Sequence, residues 1–421
     1  MRFHTYRYRH ENPSLLGRVW VLHDDNPLPP RLNDLGRWFV HRGRLTASRI
    51  WPPYTKAPPV SNAAFERPRD FSPVPFDDAV AWFERVHNAN EAVLAKSGCW
   101  HPHPFSAHAG TGVSVEEAAF RIPGYLAAFR ATGRTVYRER AFAAGDYLLR
   151  ERVFADGHIL LQGHPSIDFA YSAVGRALIE LWQTDQTRVD FLDAARRIGE
   201  QLMRYPISGS ANHACISAQL LAPLYRITGE VRFRKSYLSR VFRHIPFQLN
   251  AGHWPGYNEY LWYQSIILRS LVDAYVVLPF TPEFTSRKDR LAKSITAAAN
   301  WFIANQKPDG RFPLMSNTPP AGFAENEVVS FDGNEFAPAS IEGGYRGHGG
   351  YELDALISVV ERLGAVEFAP MIHGYAKALM ATGLLWRLEF NTMAAGRYIG
   401  FLADVANDPP AARRFPDAGR N

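Results

Sequence analysis

The fourteen residues AGHWPGYNEYLWYQ, 251–264, hold His253, Trp254, Tyr257, Glu259, Tyr260, Trp262 and Tyr263, with no Lys or Arg and no aliphatic run before Ile266. A core helix built this way would bury aromatic hydroxyls, indole N–H groups and a carboxylate, each of which needs a hydrogen-bond partner. The same side chains are suited to stacking on a flat ligand, hydrogen-bonding it and moving a proton. Gly252 and Pro255-Gly256 place them in a loop at the mouth of a helix, on which Tyr260 and Tyr263, three apart, share one face. The alternative is an aromatic plug at the end of a helical body.

A second group lies in EGGYRGHGGYELD, 342–354. Two glycine pairs do not belong in a helix interior, so this is a loop leading into a helix near Tyr351. Tyr345, Arg346 and His348 share that loop, with Arg346 a candidate cation for an anionic ligand. A plain glycine turn is the simpler alternative. His158, His164 and Asp168 in DGHILLQGHPSIDFAYS precede another helix; all three can line the same cleft, or Asp168 can cap the helix. HPHPF with His108 invites a metal reading, but proline between the histidines and the lack of a nearby carboxylate favour a loop, and no metal is expected.

The elements that must carry these groups are helical. Residues 1–76 are a Pro-rich lead (NPLPPRL, WPPYTKAPPV, RPRDFSPVPF) that cannot continue helices, although GRVWVLH allows a short strand. From Asp77 the texture changes to DDAVAWFERVHNANEAVLAKSG, opened by an Asp pair suited to an N-cap. An internal repeat follows in LAAFRATGRTVYRERAFAAGDYLL, LIELWQTDQTRVDFLDAARRIGEQL and LAPLYRITGEVRFRKSYLSRVFRHI. In each, an apolar helix ends in an aromatic, one or two residues and a threonine, and an amphipathic helix comes next. Thr132, Thr184 and Thr228 stand 52 and 44 positions apart. This is a helical-hairpin repeat. The decorated connections and unequal repeats favour a closed (α/α) toroid of about six or seven pairs over an open solenoid. The expected organisation is an N-terminal extension packed on the body (1–76), an all-α catalytic toroid (77–405) and a tail (406–421).

Composition bounds the rest. The 47 basic and 41 acidic residues give a formal charge of +6 without a run of five like charges. That argues against nucleic acid and allows an anionic substrate, with a solvated Arg-rich surface as the simpler explanation. Cys99 and Cys215 are in no metal-like spacing and could make one bridge at most. The first residues lack a secretory h-region and no segment reaches the length of a membrane span. The expectation is a soluble, cytoplasmic chain without a membrane partner, or a periplasmic or secreted one from which a signal peptide has been removed.

ANWFIANQKPDGRFP, 299–313, resembles the hairpin turn of (α/α)-toroid enzymes that act on carbohydrates, hydrolases, epimerases and polysaccharide lyases among them. SANHACISAQLLAPLYRITGE resembles the alginate-lyase type more closely: such lyases place an Asn-His pair at the start of one inner helix and a catalytic Tyr at the start of a later one. Asn212 and His213 match the pair and Tyr260 matches the Tyr; His253 stands where these lyases often carry an Arg. The resemblance implies β-elimination on a uronate polysaccharide or oligosaccharide with no cofactor. Donors such as Asn212, His213 and Arg346 would neutralise the uronate carboxylate, a His or Tyr would take the C5 proton, and Tyr260 could return one to the leaving oxygen. Trp254, Tyr257 and Trp262 would then stack on pyranose faces, with Glu259 bonding hydroxyls. The alternatives are a glycoside hydrolase using two of Asp168, Glu259, Glu342 and Glu352, a sugar epimerase, and a non-enzymatic helical scaffold.

Overall fold

Thr132, Thr184 and Thr228 each end a helix, and each hydroxyl donates back to the carbonyl four residues earlier: Ala128 at 2.7 Å, Glu180 at 2.9 Å and Leu224 at 2.8 Å. Gly133 and Gly229 follow two of them as left-handed caps. The repeated threonine is thus a helix stop. In the computed structural model the described residues are 71–101, 114–161, 167–254, 261–279, 281–312, 350–381 and 388–407, with five short strands.

Helices buried along nearly their whole circumference alternate with helices buried on one face. The first set comprises α2 (Val115–Thr132), α4 (Ile167–Thr184), the broken pair α6 (Ala211–Ile216) and α7 (Ala218–Thr228), α9 (Leu261–Val277), α11 (Tyr351–Leu363) and α13 (Leu388–Asn407). The second set comprises α1 (Phe76–Ala92), α3 (Thr135–Glu151), α5 (Val189–Arg204), α8 (Val231–Phe242), α10 (Thr285–Asn305) and α12 (Ala369–Ala381), the last of them buried from Met371 to Ala376 as well. In α5 the buried Phe191, Ala194, Ala195, Ile198 and Leu202 form a single stripe, as an outer helix requires. In α4 burial is unbroken from Asp168 to Ile179, as an inner one requires.

The inner helices pack in order, α2 on α4, α4 on α7, α7 on α9, α9 on α11 and α11 on α13, and α13 returns to α2. Among the described residues this is a closed (α/α) toroid of six hairpins, within the expected range. The closing seam is made by glycine: a Cβ on Gly124 would lie 2.1 Å from the Thr392 carbonyl oxygen, and one on Gly396 2.0 Å from that of Gly124. The Asp77-Asp78 pair does not cap α1. Pro75 holds that position, and both carboxylates sit in the first turn, where the helix dipole favours negative charge.

A second repeat staples the outer ring. KSGCW, ADGHI, NAGHW and PDGRF follow α1, α3, α8 and α10, with Gly98, Gly157, Gly252 and Gly310 at positive φ. In each, the glycine N–H donates to the carbonyl three residues back, and the N–H of that residue donates to the carbonyl of the residue after the glycine, at 2.7 to 3.0 Å. The next side chain, Trp100, Ile159, Trp254 or Phe312, is buried. Three of these glycines press on the following outer helix: a Cβ would come within 2.4 Å of Arg197, 2.0 Å of Ala297 and 2.1 Å of Gly374 backbone atoms.

The strand allowed at GRVWVLH is present: β1 (Phe3–Arg7) pairs antiparallel with β2 (Arg18–Leu22). A second sheet joins β3 (Val329–Phe331) antiparallel to β4 (Asn334–Ala337), which runs parallel to β5 (Leu384–Leu385). The rest of the lead up to residue 70 and the tail after 407 lie outside the described residues. Cys99 and Cys215 are buried and unbridged. No helix among the described residues is long and apolar enough to cross a membrane.

Candidate functional site

Links from an inner to an outer helix are short, such as 133–134 and 229–230, whereas links from an outer to an inner helix include 93–114, 243–260 and 306–350. The long loops therefore gather at the N-terminal ends of the inner helices, the end where binding groups are expected on a rigid scaffold. Every inner position sends one ring there: Phe120, Phe169, His213, Trp262, Tyr351 and Phe390. Phe169 meets His213 at 5.0 Å and Trp262 at 5.7 Å between centroids, and Trp262 meets Phe390 at 5.7 Å. Phe390 meets Phe120 at 5.2 Å and Tyr351 at 5.8 Å. The α4–α9 and α9–α13 contacts join helices that are not neighbours in the ring, so the rings cross the bore. They form an aromatic floor in which His213 and Trp262 are half-exposed and the others buried.

The floor brings together His213, Trp262 and, at 4.3 Å from Trp262, Tyr263. Other predicted groups have different places. Asn212 is 0% exposed and its amide oxygen accepts from the Ser210 hydroxyl. It sits in the first turn of α6 beside His213 and exposes no surface of its own in this structure. Trp254 is 1% exposed; its indole donates to the His244 carbonyl at 3.0 Å and its backbone is clasped at both N–H and C=O by Gln264. It is the buried anchor of the NAGHW turn and offers no face to a sugar. His253 packs on Trp301 of the outer helix α10, 5.5 Å between rings, and burial pulls its imidazole down to about 4, keeping it neutral at physiological pH.

Asp168 does not cap α4. It lies in the first turn and accepts from Arg240 at 3.2 Å, while Arg240 also donates to the Leu202 and Tyr205 carbonyls at 2.8 and 3.0 Å. This buried pair ties α4 to α8. His164, Tyr257, Glu259, Tyr260, Tyr345, Arg346 and His348 lie outside the described residues; Tyr260 directly precedes the first residue of α9. Among the described residues no group of three His, Cys, Asp or Glu could hold a metal ion.

The reading from sequence missed Phe120, Phe169, Tyr351 and Phe390 as floor residues, and it missed that four inner helices carry first-turn acids, Glu116, Asp168, Glu352 and Glu389. A signal was present: IDF at 167–169 and LEF at 388–390 repeat one apolar-acid-aromatic start. Glu352 is fully buried, accepting from the Gly350 N–H at 2.9 Å and the Tyr375 hydroxyl at 3.2 Å. Its Oε1 has no hydrogen-bond partner among the described residues.

Burial pushes the Glu352 carboxyl from 4.5 up to about 7, against the opposing pull of its donors. Because the native state then holds this proton more tightly than the unfolded chain, its contribution to stability falls as pH rises from 4.5 to about 7 and stays lowered above. Glu352→Gln is expected to remove that slope, leaving the variant more stable than the parent by up to ~3 kcal/mol near about pH 8. Urea melts on either side of the window measure it. An unchanged slope would show that Glu352 is ionised alike in both states.

No protein-family model matches the chain, and no curated protein matches it by sequence. Solved structures do match. A glycosyl hydrolase of family 88 from Bacteroides vulgatus is similar over 78% of this chain and 100% of its own, with TM-score 0.54 and 10% identity. A polysaccharide lyase is similar over 79% and 98%, with TM-score 0.54 and 12% identity. An unsaturated glucuronyl hydrolase from Streptococcus agalactiae is similar over 81% and 97%, with TM-score 0.53 and 12% identity. The chain thus has the (α/α)-toroid fold of these carbohydrate-active enzymes, the fold that its turn and helix-start motifs resemble.

Proposed function

We propose that the chain is a carbohydrate-active enzyme that binds its glycan over the aromatic floor and cleaves a uronate-containing chain by β-elimination. The observation that carries this reading is the floor itself: six rings, one from each inner position, at the end where the long loops gather, with Trp262 and His213 presented to solvent. A half-exposed indole beside an imidazole offers a face for a pyranose and a base for the proton next to its carboxylate.

In the proposed reaction His213 or Tyr260 takes the C5 proton while Arg346 offsets the carboxylate charge, and Tyr260 returns a proton to the departing 4-linked oxygen. Asn212 and Ser210 fix the helix start that aims His213. A second reading, glycoside hydrolysis, is supported by the fold likeness to hydrolases.

Ultraviolet absorbance over time with alginate, glucuronan and pectic acid distinguishes the two. Growth of the band from a conjugated unsaturated uronate is the expected result. A flat trace with new reducing ends would overturn elimination in favour of hydrolysis.

A further inference from the structure

Beneath the aromatic floor the bore changes character. The Tyr351 hydroxyl points away from the rings and donates to Gln219 Oε1 at 2.6 Å, which also accepts from Arg176 at 3.2 Å. Below it a cavity of about 210 Å³ runs toward the C-terminal ends of the inner helices. Each inner position contributes one arginine to its wall: Arg130, Arg176, Arg226, Arg269, Arg362 and Arg397. The carboxylates at hand are Glu180, Asp273, Asp354 and Glu361. Six guanidinium groups face four acids, and the cavity is cationic by two charges.

The ion pairs show where the surplus lies. Asp354, fully buried, is shared by Arg176 at 3.1 Å and by Arg269 and Arg397 at 3.0 Å each. Arg176 also reaches Glu180 and Arg397 reaches Glu361. Arg269 and Arg362 share Asp273. Arg130 and Arg226, exposed at the mouth, make no hydrogen bond or ion pair among the described residues. Burial and the neighbouring arginines both weaken the hold of Arg362 on its proton, the mark of an array short of negative charge.

We infer that this cavity is a binding site for a small, doubly charged oxyanion, phosphate either free or carried on a sugar. Guanidinium forks match phosphate oxygens in pairs and keep their charge when desolvated. The volume is below the range of drug-sized ligand pockets, which fits an ion or a monosaccharide derivative. The site is distinct from the floor, on the opposite side of the Tyr351 ring, and the inference does not depend on the proposed reaction.

Isothermal titration of the full chain with inorganic phosphate, glucose 6-phosphate and glucuronate, at ionic strength fixed with chloride, tests it. Saturable binding of either phosphate is expected, and which one binds identifies its source. Arg130→Gln/Arg226→Gln should weaken it about tenfold or more, and Arg130→Lys/Arg226→Lys, which keeps the charge but loses the fork, should restore only part of it. Both sites are exposed, so circular dichroism should match the parent. Heats no larger than those of chloride, binding of glucuronate alone, or equal affinity in the Gln variant would overturn the assignment; the arginines would then serve only to offset the helix C-terminal dipoles.

Discussion

His213→Ala is expected to lower kcat on the preferred polyuronate by about 10²- to 10⁴-fold, the range for loss of a positioned general base. The ring leans on Phe169 at 5.0 Å and is half-exposed, so its removal uncovers an edge of the floor without opening the core. KM should change little and the melting temperature should remain close to the parent's. The acid limb of the pH–rate profile should also disappear, which separates a lost base from a lost contact. A variant with normal kcat and raised KM would make His213 a binding residue. Tyr260→Phe is expected to abolish turnover through loss of one hydroxyl; full activity in that variant would remove Tyr260 from the mechanism.

Gly396→Leu is expected to cost more stability than any surface change in the protein, about 3 kcal/mol or more, because overpacking here meets backbone and not a yielding side chain. A Cβ at 396 would sit 2.0 Å from the Gly124 carbonyl oxygen, so α13 must leave α2 to make room. Gly400, one turn on, is the internal control. A Cβ there would lie 3.5 Å from that of Ala127, an ordinary contact, and Gly400→Ala should gain up to about 1 kcal/mol from helix propensity. Denaturant melts of the two variants make the comparison. Equal stability would mean that the seam is not what closes the toroid.

The hairpin architecture was legible because it is written in local chemistry: a threonine that bonds back to its own helix, and apolar density that separates inner from outer helices. The NAGHW turn was misread for an equally local reason. Met alone, His253 and Trp254 look like ligand-binding groups; set beside KSGCW, ADGHI and PDGRF they become a structural turn with a buried anchor. Of the floor, His213 and Trp262 stood out, whereas Phe120, Phe169 and Phe390 are indistinguishable from core residues in an apolar helix until the ring brings them together. The arginine-lined cavity was hidden more thoroughly. Each inner position contributes one wall arginine, and because most of these helices carry acids and other charges as well, no single arginine stands out in its own segment.

The seam between Gly124 and Gly396 also constrains how the chain acquires its structure. Its two sides are 272 positions apart in sequence, so α2, made early, waits through synthesis of nearly the whole body for the helix that covers it. Contacts of such long range form late and slow the search. Until α13 docks, the nascent protein is an open arc with an uncovered apolar edge, a species prone to self-association. Chaperone demand during expression should therefore fall on the interval before the last helix leaves the ribosome, and chains stopped short of residue 388 should accumulate as aggregates, not as smaller folded units.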